Sequence, residues 1–64
     1  MNRLLKLKIL ERFKYQADFA ALVKLHEGRL SRIVNGRVVP TDRERQRIAK
    51  ALGIPESELF PPQS

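Results

Sequence analysis

A chain of 64 residues can bury one small core, and without cysteine it has neither a disulfide framework nor a thiolate metal site. Its single histidine cannot build a metal cage, and no apolar run is long enough to span a bilayer. A formal net charge of +6 favours a polyanionic partner, nucleic acid ahead of an anionic membrane surface. The charge is uneven: residues 1–14 carry five basic side chains against Glu11, and residues 24–47 carry seven against Glu27, Asp42 and Glu44.

The first predicted helix covers residues 2–13, with Leu5, Ile9 and Phe13 at i, i+4, i+8 as an inward stripe and Leu10 beside them. Leu4 and Leu7 fall off that stripe. The second covers residues 16–23, with Asp18 in its positive first turn, Phe19 and Val23 inward, and Ala20 small enough for a close crossing. The third runs from about Glu27 to Val34 and ends at Asn35-Gly36, two residues that tolerate the left-handed conformation of a C-cap. In the fourth, "TDRERQRIAKALG", Thr41 and Glu44 have capping-box spacing, Ile48, Ala49 and Leu52 face inward, and Gly53 stops the helix. Pro55 suits the start of a short fifth helix that tucks Leu59 and Phe60 inward, and "FPPQS" leaves a frayed tail over 61–64. Five helices and no strand are expected.

Helices two and three are joined by "KLH", residues 24–26, which is the outline of a helix-turn-helix. Here "YQADFA", "KLH" and "LSRIVNG", aligned without a gap over residues 15–36, resemble the phage repressor and Cro-like (XRE) helix-turn-helix regulators, and "IAKALGIPESELF" resembles the last two helices of that family. The chain departs from the family pattern at four places. Tyr15 and His26 stand where the family has small N-cap residues, and Lys14 stands at a position often held by glycine. Lys24 replaces the turn glycine, so a non-glycine residue is expected to accept positive φ.

The resemblance implies an all-α, compact five-helix lambda-repressor-like DNA-binding domain over residues 1–60. Its third helix would lie in the major groove, with Glu27, Gly28, Arg29, Ser31 and Arg32 toward base edges. On a helical wheel with Leu30 and Ile33 inward, Gly28, Arg32 and Asn35 point outward. Arg32 suits a guanine edge and Glu27 a cytosine amino group, although an acid in a first turn also stabilises its helix unaided. Gly28 would let the backbone approach the groove closely. Gln16, at a helix N-terminus, together with Lys24, Asn35, Arg37 and Arg43, would hold phosphates.

The resulting expectation is a cytoplasmic, sequence-specific regulator of double-stranded DNA, acting as a repressor on a palindromic operator. It needs no cofactor, metal, small-molecule ligand or membrane, and it has no catalytic constellation. The family commonly binds as a two-fold dimer, and Ile54, Pro55, Leu59 and Phe60 are the expected dimer surface. An antitoxin or protein-interaction adaptor, using Leu4, Leu7, Leu22 and Phe60, is the alternative.

Overall fold

A computed structural model describes residues 1–61, over which the chain forms five helices and no strand. They are α1 (Arg3–Arg12), α2 (Gln16–Leu22), α3 (Glu27–Val34), α4 (Asp42–Leu52) and α5 (Glu56–Leu59). Beyond Pro61, the tail expected to fray lies outside the described residues.

Each helix contributes its apolar stripe to one core. Leu5 and Ile9 of α1, Phe19 and Ala20 of α2, Leu30, Ile33 and Val34 of α3, Ile48, Ala49 and Leu52 of α4, and Leu59 of α5 are all buried, as is Val23 just beyond α2. Phe13 leaves the helix as the C-cap of α1 and meets Phe19 edge-on, ring centroids 5.2 Å apart. Leu10 departs from expectation: it is 51% exposed, because a stripe centred on Leu5 and Ile9 turns position 10 about 100° away from the core.

The helix ends show how the sequence sets the turns. Three residues among those described have positive φ: Lys24 at 59°, Gly36 at 74° and Gly53 at 67°. Each sits just after a helix and closes it with the same pair of bonds. After α2, the N–H of Lys24 donates to Ala21 and that of Leu25 to Ala20; Gly36 and Arg37 donate to Ile33 and Arg32 after α3; Gly53 and Ile54 donate to Lys50 and Ala49 after α4. Two of the three positions carry the glycine that this conformation favours, and the helix-turn-helix turn carries a lysine. Asn35 stays right-handed, so Gly36 alone makes the reversal after α3.

The N-terminus is tied down by Asn2. Its backbone N–H donates to the carbonyl of Val34 at 2.7 Å, its Oδ1 caps α1 through the N–H of Leu5 at 3.0 Å, and its Nδ2 donates to the carbonyl of Leu59 at 2.6 Å. One side chain thereby joins α1 to α5 while its backbone holds the end of α3.

Candidate nucleic-acid interface

Helix α3 is anchored on one side and bare on the other. Leu30, Ile33 and Val34 are buried, while Glu27, Gly28, Arg32 and Asn35 are exposed. The 100° step per residue puts Gly28, Arg32 and Asn35 opposite the anchors, with Glu27 at the N-terminal end and half-buried Ser31 on one flank. The Ser31 hydroxyl accepts from Asn35 Nδ2 at 3.4 Å. Nothing in the fold requires glycine at position 28, since a Cβ added there meets no atom within 4 Å. Neither Tyr15 nor His26 caps its helix with a side chain, so the first N–H groups of α2 and α3 are left for water or an external acceptor.

Arg29 stands apart from the other α3 residues expected to read bases. It occupies the flank turned toward α4, and its Nε and Nη2 donate to the two carboxylate oxygens of Glu44 at 2.5 and 2.8 Å. Glu44 also closes the α4 capping box: Oε1 accepts from the N–H of Thr41 at 2.7 Å, and Thr41 Oγ1 accepts from the N–H of Glu44 at 3.2 Å. The Arg29 guanidinium and the Thr41 N–H outweigh the cost of burying the carboxyl and pull its pKa from 4.5 to about 2. Glu44 in turn raises the pKa of Arg29.

Of the residues expected to hold phosphate, Gln16 opens α2 half-buried, and Asn35, Arg37 and Arg43 are exposed from the end of α3 into the first turn of α4. Among the described residues, no salt bridge involves Arg32, Arg37 or Arg43. Arg45 contrasts with them, bonded to the Pro40 carbonyl at 2.9 Å and paired with Glu56 and Asp42. Lys24 is set elsewhere: with Leu22, Arg47, Lys50 and Ala51 it lines a cavity of about 320 Å³ between the C-terminal ends of α2 and α4, to which α3 contributes nothing.

The expected dimer surface needs one correction. Leu59 is 0% exposed, consumed by the core of its own chain, and cannot meet a partner. Ile54 is half-buried, Pro55 is exposed, and Phe60 borders an open groove with Met1, Leu4 and Val39. Sequence reasoning missed Asn2, the hold of Glu44 on Arg29, and the bonds of Arg45 to Pro40 and Glu56. The first two pairings span 57 and 15 residues, and helical periodicity carries no signal over such distances.

The arrangement sets Arg32, Arg37 and Arg43, exposed and outside any salt bridge among the described residues, beside the amide of Asn35. Its chemistry is recognition of acceptors and anions. Among the described residues no group of three or more His, Cys, Asp or Glu could hold a metal ion, and no helix is long and apolar enough to cross a membrane. Comparison with known proteins found a match to one family model, "Helix-turn-helix", over residues 7–59. No curated protein and no solved structure matches. That match spans α2, the Lys24 turn and α3 together with the packing helices around them. The chain belongs to the XRE-type helix-turn-helix family of DNA-binding regulators.

Proposed function

We propose that the chain, as a DNA-binding domain of residues 1–60, is a sequence-specific regulator that lays α3 in the major groove of an operator. One observation carries this reading: the face formed by Gly28, Arg32 and Asn35 adds nothing to the core, yet it is braced from behind by Leu30, Ile33 and Val34. Arg32 donates two hydrogen bonds to a guanine edge, worth ~1–3 kcal/mol of discrimination. Glu27 and Ser31 contact neighbouring base edges, and Gly28 removes a side chain where the backbone comes nearest the bases. Gln16, Asn35, Arg37 and Arg43 hold phosphates on either side. Lys24, beside Arg47 and Lys50, is left out of that group, and Arg29 is left out of the base-reading set.

A single short helix reads few base pairs, so we infer a two-fold dimer of the Cro and repressor type on a palindromic site. Half-sites would lie about 34–36 Å apart. The body measures 33 × 22 × 20 Å, a size that lets two abutting copies meet that spacing. Phe60 and Pro55, with Val39 at 83% exposure, are the proposed contact. A second reading, a protein-interaction role such as an antitoxin's, is favoured by Leu4, Leu7 and Leu22, which stay exposed.

Selection of bound duplexes from random DNA tests the main reading. A symmetric enriched sequence is expected, with affinity falling by about 0.9 log units per phosphate contact for each log unit of salt. Arg32→Ala should flatten preference among sequences, and Arg37→Ala should weaken all of them alike. Absence of duplex binding at low salt, or binding without any sequence preference, would leave the adaptor role standing.

A further inference from the structure

We propose that Glu44 is a positioning residue for DNA binding, holding Arg29 by one edge so that its opposite edge meets a backbone phosphate. The inference rests on the DNA-binding reading above and adds two residues to it.

A guanidinium offers five N–H donors in a rigid plane. Glu44 takes the Nε–H and one Nη2–H, at 2.5 and 2.8 Å. Both N–H groups of Nη1 and the second of Nη2 remain, and one from each nitrogen runs parallel along the outer edge of the fork. That edge matches the spacing of two phosphate oxygens. The carboxylate is itself fixed. Glu44 is 8% exposed, and Oε1 also accepts the Thr41 N–H at the start of α4. Arg29 keeps 38% of its side chain exposed, so a fork pinned at its inner edge still reaches solvent.

Position selects phosphate over base. Arg29 lies on the flank of α3, about 100° from the Leu30 direction, whereas Gly28 and Arg32 point directly away from the core. In a helix seated in the groove, the flank faces the sugar-phosphate wall. The same flank faces α4, whose first turn also carries the exposed Arg43. An arginine held in advance loses less rotamer freedom when it engages an acceptor than one recruited from solvent.

Glu44 gives the proposal an unusual sign. On charge alone, an acid beside a phosphate site opposes DNA, and removing it should tighten binding. If the carboxylate serves to aim Arg29, its removal should loosen binding. Glu44→Gln separates the two, because glutamine also satisfies the capping-box pattern and keeps α4 started. Binding of the full chain to a duplex recovered by enrichment, and to a scrambled duplex, is measured across a salt series, with thermal melting of each variant alongside.

We expect Glu44→Gln to melt as a folded domain and to bind both duplexes about three- to ten-fold more weakly. Arg29→Ala should weaken both duplexes equally and make the log–log salt slope shallower by about 0.9, one phosphate's worth. Arg29→Lys should restore that slope without restoring full affinity, since an ammonium has no fork. In the double variant the two losses should not add. Tighter or unchanged binding by Glu44→Gln would overturn the positioning role. A loss in Arg29→Ala confined to one base position would overturn the phosphate assignment. Should the unaltered chain bind no duplex, the DNA-binding reading and this inference would both fall; should it bind while Glu44→Gln gains affinity, only the inference would.

Discussion

Asn2 donates from Nδ2 to the carbonyl of Leu59 at 2.6 Å, so the residue that caps the start of α1 also holds the end of α5. The same side chain caps α1 through the N–H of Leu5. Asn2→Ala removes both bonds and leaves a helix donor and a half-shielded carbonyl unpaired. The expected loss is about 2 kcal/mol, a cap and one side-chain hydrogen bond together. Asn2→Ser restores an acceptor for Leu5 without the long reach to Leu59, so it should recover roughly half. Urea unfolding of the three proteins measures this; an alanine variant within about 0.5 kcal/mol of the parent would show that the bridge contributes little.

Lys24 closes the helix-turn-helix turn with φ at 59°, in the conformation that glycine adopts at the two equivalent helix ends, Gly36 and Gly53. A β-carbon costs about 1 kcal/mol in that region. Glycine also loosens the unfolded chain, which offsets part of the gain. Lys24→Gly should therefore stabilise the domain by about 0.5 kcal/mol, raising the urea midpoint at unchanged slope. Because Lys24 stands with Arg47 and Lys50 rather than with the outer face of α3, the salt dependence of DNA binding should stay as it was. A stability loss would mean that the lysine side chain contributes packing over Leu22 that outweighs its backbone strain.

Why were some features readable from sequence and others not? The helices were readable because their signals are local. Thr41 and Glu44 are three apart, Gly53 follows the last apolar position of α4, and Leu30, Ile33 and Val34 repeat at helical spacing. The outward face of α3 followed from those anchors by rotation alone. The errors arise where one local pattern admits two outcomes. Leu10 adjoins a core stripe in sequence and still points to solvent; Leu59 is apolar whether it serves the core or a partner. The fate of Arg29 depended on Glu44, fifteen residues away on another helix, and only the packing of α3 on α4 brings them together. Glu44 was legible as a cap. Its second role was not.

Glu44 also sets a pH dependence. Its carboxyl falls from 4.5 to about 2 on folding, chiefly through the Arg29 fork. A depressed carboxyl adds stability that is fully present above its unfolded value and is lost as pH falls through its folded one. The loss should therefore develop between pH 4.5 and about 2. Because the guanidinium is partly open to water, screening reduces the contribution well below the full shift, to about 1 kcal/mol. Above pH 5 the pair should leave stability flat. Glu44→Gln should be less stable than the parent at pH 7 and should converge with it near pH 2. Urea midpoints at pH 7, 5, 4, 3 and 2 check this, and parallel curves for the two proteins would show that the ion pair adds nothing.

Gly28 separates what the fold needs from what a duplex would need. It sits in α3 with helical backbone, not in the left-handed region where glycine is favoured, and an added Cβ meets open space. Alanine there should stabilise the helix by about 0.5–1 kcal/mol, because glycine is the poorest helix former after proline. Larger residues should also be accepted by the folded chain. DNA binding should move the opposite way. If the backbone at position 28 comes within van der Waals reach of base edges, Gly28→Ala should weaken binding to an enriched duplex about several-fold. Gly28→Leu should weaken it further, although neither change touches a charge or a donor. Opposed changes in urea midpoint and DNA affinity within one variant are what a glycine kept for a ligand would give. A Gly28→Leu protein that folds well and binds DNA as tightly as the parent would remove α3 from the floor of the groove.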